Sequence, residues 1–441
     1  MTPAPPVAFV VWGSLGDLHP FLAVAGALRE RGIGSIIATH EEYRAKVEAE
    51  GFAFRPMRPS FADLEAEFAA DRATITRQLL ERPLWLFERA IFPFLRASIA
   101  DTRALLDETP WLVTSSPAIG ARLAAEERGI DWLAAVLQPM QFLSEEDPPA
   151  LMPVEWLAPL MASLGRGPVR VMHRLLRRLM RRMARPVAGI RAELGLPTVD
   201  ADPVFAGQFG PAGVLALYSP VLATVRRDYP PRVRVTGFAF YDSELGGDSP
   251  LEPGLERFLA AGPAPVVFTL GSSFVHSPGN FYRESAAAAR RLGVRSVLLV
   301  GDHGRATYAD LADESCYVGG YAPYSALFPQ ARLVVHQGGI GTLGQALLAG
   351  RPQLVVPYFG DQADNARRAA RLGVGRVLGR HRYRAARVAR TLATLDAEPS
   401  FAAAAARVAG RLKEESGAER AAQCIERWRA GVPAGMPALS F

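Results

Sequence analysis

A histidine, three glycines, a threonine and an aspartate–glutamine pair fall within residues 332–365, RLVVHQGGIGTLGQALLAGRPQLVVPYFGDQADN. These residue types at this spacing fit recognition of a diphosphate that carries a sugar. A helix starting at the glycine cluster offers unpaired backbone N–H groups and the positive end of its dipole. Gly338, Gly339 and Gly341 let phosphate oxygens approach that backbone. Thr342 adds a hydroxyl donor, and His336 stands where it can donate to the same anion. Asp361, Gln362 and Asn365 leave the end of the following strand, where ligands bind in open α/β sheets. A carboxylate beside an amide suits sugar hydroxyls. The positioning elements are an apolar strand, Leu333–Val335, a helix, Thr342–Ala349, closed by Gly350 and Pro352, and a buried strand, Leu354–Val356.

Two other readings stand beside this one. Gly339, Gly341 and Gly344 also satisfy GxGxxG with Asp361 roughly 20 residues on, which is the spacing of a nicotinamide-dependent oxidoreductase. The glycines can also be plain turn residues of a non-catalytic binding protein. A second constellation lies at the amino end. The strand Val7–Trp12 runs into Gly13-Ser14-Leu15-Gly16, then Asp17, a helix from about Pro20 to Arg31, and the strand Ser35–Thr39. The pattern is a βαβ unit with Asp17 at a strand's carboxyl end. Asp17 there serves either a ligand or the helix N-terminus.

HQGGIGTLGQALLAGRPQLVVPYFGDQADNA resembles the donor-site signature of family 1 glycosyltransferases, HxGGxGT followed by DQ. Within that family it is most similar to bacterial rhamnosyltransferases of glycolipid synthesis and to sterol and macrolide glucosyltransferases. Gly13 to Phe21 resembles the amino-terminal motif GSxGDxxPF. The resemblance implies an α/β protein of two Rossmann-like domains facing across a cleft, the glycosyltransferase-B fold. It implies inverting, metal-independent hexose transfer from a UDP- or dTDP-sugar to a hydroxyl, with no further cofactor. Asp17 becomes the general base, with Ser14 and Gly16 of its turn on the donor side. Ser272 contributes a second phosphate-contacting turn, and Tyr321 stacks on the nucleotide base. His19 is one residue before the proline, where the family's histidine variants place the base three before it. Many relatives have an aspartate after the strand at 111–114 to steady a catalytic histidine. Thr114-Ser115-Ser116-Pro117 lacks it, which fits a base that is itself a carboxylate. Plant members carry a ribose-binding glutamate at the position of Gly344. Its absence is compatible with a dTDP-sugar, whose sugar ring lacks the 2′-hydroxyl.

The resemblance places the acceptor pocket in residues 61–107 and 138–149, with Trp85, Gln138, Met140 and Phe142 as candidate lining residues. Domains are expected at 1–238 for the acceptor and 239–415 for the donor. Residues 416–441 then return to the first domain, and the Gly-, Pro-, Asp- and Ser-rich stretch 240–265 suits a hinge. The length of 441 residues allows two separate cores. A net charge of +6 is small for this size, and Lys46 and Lys413 are the only lysines, so it does not argue for nucleic acid. Cys316 and Cys424 read as reduced thiols of a cytoplasmic protein, and the amino end reads as a first strand and not a signal peptide. Asp200-Ala201-Asp202 reads as a proline-flanked turn and not as a metal-binding DxD. Arg170–Arg185, RVMHRLLRRLMRRMAR, is a basic amphipathic helix, read either as a surface helix or as a peripheral contact with anionic lipid.

Overall fold

The computed structural model describes residues 4–431 apart from 83, 153–156, 158–159, 161–162, 164, 200–201 and 243–249. Two parallel sheets organise the chain. The first contains β1 (Val7–Val10), β2 (Ser35–Thr39), β3 (Ala53–Pro56), β4 (Trp111–Ser115), β5 (Trp132–Val136), β6 (Gly213–Ala216) and β7 (Val233–Val235). Its order is β3-β2-β1-β4-β5-β6-β7. The second contains β8 (Val266–Thr269), β9 (Ser296–Leu299), β10 (Cys316–Gly319), β11 (Leu333–His336), β12 (Gln353–Val355) and β13 (Gly375–Val377), in the order β10-β9-β8-β11-β12-β13. In both sheets the order reverses beside the first strand, which opens a crevice at the carboxyl ends. The central strands β1, β8 and β11 are buried at every residue. That is why they read as unbroken apolar runs and not as alternating ones.

Several element boundaries differ from the sequence expectation. The first helix spans Leu15–Glu30 and contains Pro20, because Ser14 and Asp17 form a capping box that starts it earlier. The stretch 240–265 contains a helix, Pro253–Ala260, whose proline sits in its first turn. The basic stretch forms a helix over Arg166–Met183 and passes at Ala184 into a second, Arg185–Glu193. In the Asp200-Ala201-Asp202 turn only Asp202 is described; its carboxylate accepts from Phe205 N at 2.6 Å and Val204 N at 3.2 Å.

The two halves share a core, in which Val214 and Tyr218 cluster with Leu343 and Val355, and are joined by further contacts. The helix Gly417–Arg429 lies on the Leu15–Glu30 helix, burying Ala421, Ala422, Ile425 and Trp428 in the first sheet's core, with Arg31 paired to Glu419 at 2.6 Å and also to Glu426. On the other side, Arg368 bridges Asp147 (2.5 Å) and Asp364 (2.6 Å), and Arg371 adds a bond of 2.9 Å to Asp147. Ala150 N donates to Asp364 at 3.0 Å. The carboxylates and the Arg368 guanidinium are buried, so removing one of them strands the others without water.

Candidate active site

The glycine turn after β1 is shaped around a carboxylate. Gly13 has φ +145°, and a Cβ there would lie 2.4 Å from Asp17 Oδ2. Only glycine admits the carboxylate so close to the backbone. Ser14 N donates to Asp17 Oδ2 at 2.8 Å and Ser14 Oγ donates to the same oxygen at 2.9 Å. Of the two expected roles, the helix cap is filled by Oδ2; no hydrogen bond among the described residues reaches Oδ1. Burial raises the Asp17 pKa above the ordinary carboxylate value, against the lowering effect of the Ser14 backbone and hydroxyl donors. Behind the turn, Gly13 N donates to His40 Nε2 at 3.1 Å, while His40 Nδ1–H donates to Pro59 O at 2.7 Å. Ser115, in the run that lacks the steadying aspartate, accepts from Trp12 N at 3.1 Å and so fixes the same turn. His19 faces elsewhere. Its ring lies 4.9 Å from Tyr241, and burial, then Lys46, hold its pKa down to about 3.

Across the cleft, the Ile340–Leu348 helix begins at Gly339, with Thr342 buried in its first turn. Gly338 has φ +91°, and a Cβ there would meet Val355 Cγ1 at 2.7 Å. Gly341 has nothing within 4 Å of a would-be Cβ, so the helix N-terminus is open on that side. Ser272 is exposed in the Gly271–Phe274 turn beside it. The Leu15–Glu30 helix meets both this turn and the Ile340–Leu348 helix, and Ile340 packs against the core holding Leu18 and Phe21. Asp361 sits close enough to Asp17 to feel its charge. Its pKa is pushed up to about 7, first by burial, against Asn365's hydrogen bond, and further by Asp17.

Four candidates take roles different from those expected. His336 is fully buried; its Nε2–H donates to Gln353 Oε1 at 2.9 Å and its Nδ1 accepts from Gly338 N at 3.0 Å. Burial lowers its pKa to about 4. The ring is thus neutral, has no free N–H for an anion, and instead pins the glycine turn. Asn365 does the same from the other side: Nδ2 donates to Gly338 O at 3.0 Å and to Asp361 Oδ2 at 2.6 Å. Phe142 does not line an open pocket. It is stacked between Tyr229, at 4.1 Å, and Phe209, at 5.5 Å. Trp85 is likewise packed in a small cluster, 4.6 Å from Phe68. Gln138 and Met140 remain partly exposed at the end of β5. Gln362 uses Oε1 for Tyr358 N and Phe359 N, at 2.8 and 3.1 Å, which leaves Nε2 to face a ligand. Tyr321 is partly exposed and its hydroxyl donates to Asp242 Oδ1 at 3.3 Å.

Gln337 escaped the sequence reading. It is 5% exposed, and its Oε1 is buried without a hydrogen-bond partner. Its Nε2 lies 2.4 Å from a would-be Cβ on Gly271, 2.9 Å from one on Gly339, and 3.5 Å from Thr342 Oγ1. The amide therefore fills the gap between the two glycine turns. The signal was present in the positions of Gly271 and Gly339, but nothing in the sequence says that one side chain occupies both. Gly271, with φ +64°, has no tolerance for a side chain. Gly271→Ala should displace the Gln337 amide and weaken nucleotide diphosphate binding about tenfold or more, measurable by titration calorimetry.

The chain matches two sequence families in the matching order. The glycosyltransferase family 28 N-terminal domain covers residues 7–139, and the erythromycin biosynthesis protein CIII-like C-terminal domain covers residues 288–426. It is 29% identical over 432 residues to O-mycaminosyltylonolide 6-deoxyallosyltransferase of Streptomyces fradiae, covering 96% of this chain and 97% of that protein. It is 27% identical over 437 residues to a sterol 3-beta-glucosyltransferase of Neurospora crassa, covering 94% of this chain but only 27% of that protein. The fold is that of the spinosyn rhamnosyltransferase SpnG complexed with thymidine diphosphate: TM-score 0.64, 19% identity, 95% of this chain and 100% of that one. With its paired parallel sheets and both domain matches, the chain belongs to the nucleotide-sugar-dependent glycosyltransferases of the glycosyltransferase-B fold, those joining a family 28 amino-terminal domain to a CIII-like carboxyl-terminal domain.

Proposed function

We propose that this enzyme transfers a hexose, with inversion, from a UDP- or dTDP-sugar to a hydroxyl of a hydrophobic small molecule or lipid. Residues up to 238 would present the acceptor and residues 239–415 the donor. The observation that carries this reading is the placement of Asp17, with one free carboxylate oxygen, against the open N-terminus of the Ile340–Leu348 helix and Asp361. Asp17 takes the acceptor's hydroxyl proton as the oxygen attacks the anomeric carbon. The bond from that carbon to the β-phosphate oxygen breaks, and the diphosphate leaves with the electron pair. Backbone N–H groups at Gly339–Gly341 and the hydroxyls of Ser272 and Thr342 receive the developing charge. His336 and Asn365 hold the turn that presents those donors. Asp361 and Gln362 Nε2 bind the sugar hydroxyls, and Tyr321 stacks on the base.

The acceptor class rests on relatives that act on a macrolide and on sterols. The dTDP side of the donor choice has support from SpnG, solved with thymidine diphosphate, and from Gly344. A Cβ on Gly344 would meet the Phe238 ring at 3.1–3.3 Å, so a ribose-binding glutamate has no room there unless the ring moves. A thermal-shift panel of UDP, dTDP, their glucose and rhamnose conjugates, and NADH tests the reading. One nucleotide diphosphate should raise the melting temperature by several degrees. A shift with NADH alone, or none with either diphosphate, overturns it.

A further inference from the structure

The helix Arg166–Met183 has a face that the site does not use. Val169, His173 and Met180 are buried on its inner side. On the outer side, Val171, Leu175 and Leu179 are 53%, 63% and 45% exposed. They are spaced four residues apart and so form one row along the helix. Arg174, Arg178 and Arg182 form a second row beside it, with the same spacing and also exposed. Arg166 and Arg170 are paired with Glu146 and Glu145, but no salt bridge among the described residues reaches Arg174, Arg178 or Arg182. Residues 166–192 contain no aspartate or glutamate. Arg174 lies near enough to Glu145 to lower its pKa, but a helix held on a domain through one face gains nothing from an exposed apolar row lined by guanidinium groups that no salt bridge among the described residues holds.

We propose that this outer face docks on an anionic lipid surface. The apolar row enters the boundary between headgroups and acyl chains, and the arginine row pairs with lipid phosphates at the headgroup level. Charge decides between possible occupants. A second copy of this chain would bring two arginine rows together and is opposed by their repulsion. A lipid surface supplies both the apolar layer and the anions in the order that the two rows require. The Arg166 and Arg170 ion pairs tie the helix to the loop that follows Pro139–Phe142, so docking places the proposed acceptor side of the enzyme at the membrane. That consequence rests on the functional reading above; lipid binding itself does not.

The test is co-sedimentation of the full chain with phosphatidylcholine vesicles containing roughly one-third phosphatidylglycerol. Binding is expected at low salt, with little to pure phosphatidylcholine, and loss near about 0.5 M salt. Leu175→Glu with Leu179→Glu, and separately Arg178→Gln with Arg182→Gln, should each weaken it about tenfold or more while leaving the nucleotide thermal shift unchanged. Leu175→Trp gives an independent readout, in which brominated anionic lipid quenches its emission. No binding at low salt, parent-level binding by both double variants, or an unquenched tryptophan overturns the proposal. So does a sedimentation-velocity dimer that the leucine variant dissociates. Failure of the nucleotide thermal shift alone bears on the proposed function and not on docking.

Discussion

Asp17→Asn should lower glycosyl transfer by about 10²–10⁴-fold, the usual contribution of a general base, and leave UDP or dTDP affinity within about threefold. The substitution isolates the chemistry because of how the carboxylate is divided. Asn can still accept from Ser14 N and Ser14 Oγ through its amide oxygen, so the cap that starts the Leu15–Glu30 helix survives. What is lost is the second oxygen's ability to take a proton. The same geometry sets the pH dependence. Burial raises the Asp17 pKa, so if Asp17 is the base the acidic limb of kcat/KM in the parent enzyme should lie above the usual carboxylate range and rise with pH as Asp17 ionises. Single-turnover transfer to a hydrophobic alcohol, alongside calorimetric titration of the diphosphate, checks both. Turnover near the parent level, with the melting temperature unchanged, removes Asp17 from the mechanism.

The parts of this site that a sequence can announce are those with a local cause. The strand–glycine–helix patterns around Gly13 and Gly338 follow from apolar runs interrupted by residues that tolerate unusual backbone angles, and both appear where the patterns put them. The first helix starts before the position that Pro20 predicts: Pro20 is a strong local signal and the Ser14–Asp17 box is a weaker one. What could not be read was which atoms of a polar side chain remain free. His336 and Asn365 looked like ligands because histidine and asparagine beside a glycine turn can bind anions and hydroxyls. Their atoms are instead taken by Gln353, Gly338 and Asp361: the His336–Gln353 bond forms only when β11 and β12 pair, and Asn365 reaches back 27 residues to Gly338. Phe142 and Trp85 looked like pocket rings for the same reason; long-range packing against Tyr229, Phe209 and Phe68 decided otherwise. The Arg368–Asp147–Asp364 bridge joins positions far apart in the chain, and no spacing rule connects them.

The same balance of local and long-range causes makes Asp361 the second informative position. Asp361→Asn should stabilise the unliganded protein at pH 8 while impairing catalysis. Asp361's pKa is about 7 in the fold and near the ordinary carboxylate value in the unfolded chain. Between those values the folded state holds a proton that the unfolded state has released, so stability falls as pH rises from about 4 to about 7. Above that range the cost is fully present, on the order of 4 kcal/mol, and below about pH 4 it vanishes because both states are protonated. Asparagine carries no charge to desolvate and does not repel Asp17. The variant should therefore melt several degrees above the parent at pH 8 and together with it near about pH 4. Asn365 Nδ2 can still donate to the new amide oxygen, so the link to Gly338 is kept. On the proposed function, the sugar's hydroxyls would offset the cost of the buried charge, which would account for a carboxylate that destabilises the empty site. Asp361→Asn should accordingly bind the bare diphosphate normally but the nucleotide sugar more weakly, and transfer should fall about tenfold or more. Melting curves across pH, with and without nucleotide sugar, decide the matter: equal parent and variant stability at pH 8 would show that no strained carboxylate is held there for a sugar to relieve.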